Sequence, residues 1–183
     1  MFYFHMKKVI IYIDGSNFYF SVKKRFNQNI DIGKLCKKLS EGHDLIKINY
    51  YIAPIGESNP EMYSKQQKFF EKLRKVPKLN IVFGRLEKRK RDGKTYYVEK
   101  ATDVNLALDL VLDAQSNDYD LAFLISNDGD FSGAATAAIQ RFKKKIVYVA
   151  IGNQKSISYH LKKVSTKTQN LGEDFVRDIL VSK

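Results

Sequence analysis

In Lys8-Val9-Ile10-Ile11-Tyr12-Ile13 apolar residues follow one another with no polar face, and Asp14-Gly15-Ser16-Asn17 closes the run. A short β-branched stretch of this kind is the pattern of a strand buried on both sides in a parallel sheet. Asn17–Phe26 then predicts a helix, Asp31–Leu39 a second short one, and Leu45–Ala53 a strand that stops at Pro54. Asn59-Pro60-Glu61 joins a cap residue, a proline at the first helical position and an acid in the first turn, opening a helix that runs to about Lys75. Asn80–Leu86 and Thr95–Glu99 predict strands, and Asp92-Gly93 between them signals a hairpin. A helix from Thr102 to Gln115, a strand Leu121–Ser126, a helix Phe131–Phe142 and a strand Lys145–Ala150 follow. Short helices around Ser156–Lys163 and Glu173–Val181 close the chain. With no repeat, low-complexity tract or linker, the β/α alternation predicts a single α/β domain over residues 1–183, with a mainly parallel central sheet, its core at 7–150 and helices at 155–183.

In such sheets ligands bind beyond the carboxyl ends of the strands, where the strand order reverses. Asp14 directly follows the first strand, and Asp128 and Asp130 follow Leu121–Ser126, so two strand ends deliver acids to one edge. At about 100° per residue, Asp103 shares a helix face with Leu106, Ala107, Leu110 and Ala114, a face expected to pack on the sheet. Asp109 and Asp113 fall on the other arc with Asn105 and read as solvated surface acids. A helix cap at Thr102 or Asp103 is the plain alternative to a site role. Carboxylates about 4 Å apart repel by roughly 4 kcal/mol at an effective dielectric of about 20, so a crevice that gathers several needs compensation. Protonation, basic side chains or a divalent cation can supply it. Oxygen donors without imidazole or thiolate suit Mg²⁺ or Mn²⁺.

Charge adds a partner to this picture. Lysine and arginine number 32 against 20 acids in 183 residues, a formal net charge of +12. A polyanion is the natural complement, although solubility alone accounts for many basic proteins. The excess is concentrated at Arg85, Lys88, Arg89, Lys90, Arg91, Lys94 and Lys100, which the hairpin prediction places on a basic arm leading to Asp103. That arm is the main candidate for holding backbone phosphates, because consecutive like charges repel without an anion. Tyr96 and Tyr97 lie among them; half-buried strand residues are the plainer reading of both, and stacking on a base the other. Lys143-Lys144-Lys145 and Lys162-Lys163 read as solvated helix ends, and the small residues Gly133–Ala138 as a close-packed helix face. The single cysteine, Cys36, excludes an internal disulfide, and no Cys/His cluster suits zinc. With no apolar run of membrane-spanning length, a soluble cytoplasmic protein is expected.

Three motifs carry a family resemblance: Val9-Ile-Ile-Tyr-Ile-Asp14-Gly-Ser-Asn17, Lys100-Ala-Thr-Asp103-Val-Asn-Leu-Ala-Leu-Asp109 and Ser126-Asn-Asp128-Gly-Asp130-Phe131. In order and on the predicted elements, they resemble the NYN domain family, LabA-like branch, of the PIN-like nuclease superfamily. The resemblance implies a three-layer α/β/α PIN-like (Rossmann-like) domain and metal-dependent phosphodiester cleavage, most often of RNA, leaving 5′-phosphate and 3′-hydroxyl ends. By position, Asp14, Asp103 and Asp128 would be the principal ligands of Mg²⁺ or Mn²⁺, with Asp130 completing the cluster. Asn17 would orient Asp14 or contact phosphate, and Ser126 would fix the loop. Ala101 and Asn127 depart from the pattern, each standing where the family has glycine. Two other sites fit poorly: a Toprim-like fold expects glutamate where Asp14 stands, and an adhesion-type DxSxS site expects a hydroxyl at Phe18. A non-catalytic or very slow nucleic-acid-binding regulator of the same fold is the serious alternative.

Overall fold

Burial on both faces makes Lys8–Asp14 (β1) the middle of a sheet, and a computed structural model of the chain, which describes residues 6–57, 59–91 and 94–181, places it there. After β1 come Gly15–Phe26 (α1), Asn29–Ile30 (β2), Ile32–Leu39 (α2), Asp44–Ile52 (β3), Pro60–Arg74 (α3) and Leu79–Phe83 (β4). Arg85–Arg91 (β5) and Lys94–Lys100 (β6) lead into Thr102–Gln115 (α4) and Leu121–Ile125 (β7). A 3₁₀ turn at Gly129–Phe131 precedes Ser132–Gln140 (α5), Lys145–Ala150 (β8), Tyr159–Val164 (α6), Lys167–Asn170 (β9), Glu173–Val176 (α7) and Leu180–Val181 (β10).

The main sheet has six strands in the order β4-β3-β1-β7-β8-β9. Each of its ladders is parallel. Alternate residues of β1 enter two cores: Val9, Ile11 and Ile13 pack with Phe18, Leu35, Phe70 and Val176. Ile10 and Tyr12 pack with Leu106, Leu110, Ala135 and Leu161. Helices α1, α2, α3 and α7 therefore cover one face and α4, α5 and α6 the other, giving the three-layer arrangement and explaining why β1 has no polar side. Ala135 and Ala138 are buried, in keeping with close packing of the small-residue face.

Several boundaries differ from the sequence expectation. The stretch 80–86 is two strands: β4 ends at Phe83, and β5 leaves the sheet after Gly84. A side chain at Gly84 would bring its Cβ within 2.5 Å of the Lys100 carbonyl, so only glycine lets the two strands of the arm close at their base. Edge strand β9, Lys167-Thr168-Gln169-Asn170, has no apolar residue to betray it; it pairs with β8 through its backbone. The last helix stops at Val176, and Leu180–Val181 instead pairs antiparallel with β2. The Asp92-Gly93 turn lies outside the described residues, as does the run Met1–His5. Lys144, expected in solvent, is buried, its ammonium donating to Asn117 Oδ1 and lying 5.9 Å from the centre of the Tyr119 ring.

Candidate active site

The strand order reverses at β1, which has β3 on one side and β7 on the other. Asp14 ends β1, and the loop after β7 carries Asp128 and Asp130, so both reach the switch point. Asp14 is 8% exposed. Its carboxylate caps α1 by accepting the Asn17 N–H at 3.2 Å and accepts the Ser126 hydroxyl at 2.8 Å. Burial raises its pKa from the usual 3.8 to about 6; the two hydrogen bonds oppose this, and the charges of Asp103 and Glu99 add to it.

Ser126 also accepts the Asp128 N–H at 3.0 Å, and thus joins the two acid-bearing strand ends through one hydroxyl. Asp128 caps the 3₁₀ turn by accepting the Asp130 N–H at 2.9 Å, while Asp130 itself is exposed. The Asn17 Oδ1 accepts the Asn127 N–H at 2.9 Å, and its backbone amide donates to Asp14. Asn127, where a glycine was expected, braces the loop: its Nδ2 donates to the Ile151 carbonyl at 2.7 Å, and its Oδ1 accepts from the Tyr148 hydroxyl at 2.8 Å.

Asp103 reaches the site from α4, but not from the buried stripe. That stripe is Thr102, Leu106, Leu110 and Ala114, and Asp103 is exposed beside it. Asp109 and Asp113, expected in solvent, are drawn against the sheet. Tyr51 donates its hydroxyl to Asp109 at 2.8 Å, and Tyr12 donates to Asp113 at 2.7 Å. Lys47 pairs with Asp113 at 3.0 Å. A helical wheel assigns residues to faces by angle alone, whereas here two tyrosine hydroxyls on the sheet reach the acids of the other arc. Neither Thr102 nor Asp103 caps α4. The cap position is Ala101, with φ of 72° and no side-chain hydrogen bond. This left-handed conformation is what glycine adopts without strain. Ala101→Gly is therefore expected to stabilise the protein by about 0.5–1 kcal/mol, the relieved strain exceeding the added chain entropy. Thermal unfolding checks it; an unchanged or lower midpoint would refute the strain.

Glu99, which sequence reasoning passed over, belongs to the same cluster. Its Oε2 accepts the Ser16 hydroxyl at 2.6 Å and its Oε1 accepts the Ala53 N–H at 3.0 Å, pinning the base of the arm to α1 and to the end of β3. The available signal was a lone acid in the strand Lys94–Lys100, just before the second motif. Partial desolvation at the crevice edge, then the charges of Asp128, Glu99 and Asp130, hold the Asp103 carboxyl above the usual range. Among the described residues no lysine or arginine forms an ion pair with Asp14, Glu99, Asp103, Asp128 or Asp130. The donor set suits a hard cation. Even so, among the described residues no group of three acidic, His or Cys side chains is placed to hold a metal ion. A cation bound here would depend on water and substrate for the rest of its coordination, as at many magnesium sites. A separate cleft of about 350 Å³, lined by Lys7, His43, Phe123, Lys145 and Lys167, opens at the amino ends of the strands and contains none of these acids.

The basic residues do form an antiparallel arm, with Arg85 paired to Lys100, Lys88 to Tyr97 and Arg89 to Tyr96. Arg91 and Lys94 pair at its far end as backbone positions. Tyr96 and Tyr97 are 42% and 48% exposed, about half open to solvent. The arm joins the Asp103 helix directly, so its base stands beside the acids.

This combination of a parallel sheet, acids at the switch point and a helix-borne Asp103 is matched at the level of the whole chain. Residues 8–172 fit the family model of the NYN domain. The chain belongs to the NYN domain family. NYN domains are part of the PIN-like nuclease superfamily, so this NYN domain has a nuclease-like fold. It is also similar to the crystal structure of VPA0982, a protein of unknown function from Vibrio parahaemolyticus. The two are 24% identical with a TM-score of 0.75, over 99% of this chain and 100% of that one, which shows a shared fold. No curated protein matches this chain significantly. Among the described residues, no helix is long and apolar enough to cross a membrane.

Proposed function

We propose that this NYN domain is a Mg²⁺- or Mn²⁺-dependent ribonuclease that hydrolyses phosphodiester bonds at the Asp14–Asp103–Asp128 crevice and acts in the cytoplasm. The observation that carries the reading is the convergence of carboxylates from β1, α4 and the loop after β7 with no ion pair to a lysine or arginine among the described residues, in a protein of net charge +12. Asp14, Asp103 and Asp128 would hold the cation, with Asp130 and Glu99 adding negative potential and with water and substrate phosphate filling the remaining positions. A bound divalent cation supplies a nucleophilic water at neutral pH and offsets charge on the leaving oxygen. The chain's own work is positional. Ser126 orients Asp14, Asn17 and Asn127 fix the loop on which Asp128 sits, and Glu99 sets the arm beside the crevice. The arm then holds substrate phosphates, and single-stranded RNA is the favoured substrate.

Incubating the purified protein with labelled single-stranded RNA and DNA, in Mn²⁺ and in EDTA, tests this. Cleavage in Mn²⁺ that stops in EDTA, faster on RNA, is the expected result. Cleavage undiminished by EDTA would overturn it. The absence of a complete three-residue metal set among the described residues favours a second reading, a nucleic-acid-binding regulator without catalysis. Tight binding with no cleavage in either metal would establish that reading instead.

A further inference from the structure

We infer that the nucleic-acid strand runs along one face of the arm, over Lys90, Lys88 and Tyr97, past the acids and onto Tyr19 of α1, while the opposite face of the arm takes no part. The inference rests on the nuclease reading above and adds to it which surface binds. Side chains alternate across a strand, and directly paired residues share a face. Glu99 is paired with Leu86 and Tyr97 with Lys88, and Lys90 follows Lys88 by two positions, so these belong to one side of the arm. The bonds from Ser16 and Ala53 to Glu99 turn that side toward α1 and the crevice. The other side carries Arg85, Glu87, Arg89, Tyr96 and Lys100; there Arg85 and Arg89 both reach Glu87, at 3.2 and 3.4 Å, and this side faces away from the contacts that Glu99 makes with Ser16 and Ala53.

The crevice-facing side continues onto α1. Tyr19 lies one helical turn beyond Ser16, the residue bonded to Glu99, and therefore on the same side of the helix. It is 50% exposed, its neighbour Phe20 is 69% exposed, and the two rings meet edge-on at 5.4 Å. Lys23 Nζ stands 5.8 Å from the centre of the Tyr19 ring. An exposed ring flanked by an ammonium suits a base with its phosphate, and every base offers a face to stack on. Aromatic stations at Tyr97 and Tyr19 would thus lie on either side of the acids, and a strand engaging both must have its bases unpaired.

The test measures binding of fluorescent single-stranded RNA, single-stranded DNA and duplex DNA in EDTA, with folding of each variant confirmed by circular dichroism. Lys88→Gln/Lys90→Gln and Arg85→Gln/Arg89→Gln remove equal charge from opposite faces. The first is expected to weaken single-strand binding about tenfold or more and to flatten its salt dependence, and the second by less than about threefold. Tyr19→Ala should cost about fivefold or more on either single strand and little on duplex, with Tyr19→Phe restoring affinity. Equal losses from both faces, or a Tyr19→Ala that binds normally but changes oligomeric state, would overturn the track alone. No binding of any nucleic acid by the unaltered protein would overturn the nuclease reading together with it.

Discussion

Asp14→Asn is expected to abolish cleavage and, at the same time, to make the protein more stable at neutral pH. The carboxylate is buried between β1 and the loop after β7, and its pKa is raised from the usual 3.8 to about 6. Between those values the folded protein binds a proton that the unfolded chain does not. Stability therefore falls as pH rises through that window, and above it the full cost of the buried charge persists. The size of the shift corresponds to about 3 kcal/mol, an upper figure because the site can relax. Asparagine keeps the shape and can still meet Ser126 and the Asn17 amide, but carries no charge. In EDTA the unfolding midpoints of the two proteins should converge near about pH 4 and separate in favour of the variant by about pH 7. Added Mn²⁺ or Mg²⁺ should raise the midpoint of the unaltered protein more than that of the variant, since the cation offsets the charge that the variant lacks. Cleavage should drop by at least about a hundredfold. A variant that is less stable at neutral pH would show that burial does not dominate at Asp14, and one that cleaves normally would remove Asp14 from the chemistry.

Gly15→Ala should be among the most damaging single-methyl additions in the chain. A Cβ at Gly15 would sit 2.5 Å from the Tyr51 carbonyl oxygen and 2.5 Å from Cε1 of Tyr50. The carbonyl belongs to β3, paired along its length with β1, and Tyr50 is among the largest fully buried side chains, so neither can move aside cheaply. Relief requires the start of α1 to lift off the sheet, which carries Ser16 away from Glu99 and the Asn17 amide away from Asp14. Overpacking at such a contact costs about 3 kcal/mol. The expected result is a large fall in denaturation midpoint, together with weaker cleavage in whatever fraction remains folded. A midpoint within error of the unaltered protein would mean that the close approach is not a structural requirement.

Patterns with one physical cause were legible from the chain. The unbroken apolar run of β1 could mean only a strand buried on both sides, and a strand of that kind followed by Asp14 points to the carboxyl edge of a parallel sheet. The same holds for β7, β8 and the proline-started α3, whose boundaries follow from composition and capping. Elements held by the backbone alone were not legible. Strand β9 has polar side chains, and its membership in the sheet comes from hydrogen bonds to β8 that no side-chain pattern encodes. Strand β2 is two residues long and exists through its pairing with β10.

At the candidate site the division is similar. Sequence by itself determined which acids end the strands, that Asp103 opens a helix, that the basic residues form one arm, and that the chain belongs among NYN domains, because these depend on residue type and local spacing. Only the tertiary structure decided how those residues are used. It drew Asp109 and Asp113 inward to two tyrosine hydroxyls, committed the Asn17 side chain to the Asn127 loop, and brought in Glu99 to clasp the arm to α1. Each of these depends on a partner 58 or more residues away, from Tyr51 to Asp109 across 58 positions, from Ser16 to Glu99 across 83 and from Asn17 to Asn127 across 110. Local propensity carries no information over such distances, since the contact exists only once the sheet has set β1, β3 and β7 side by side.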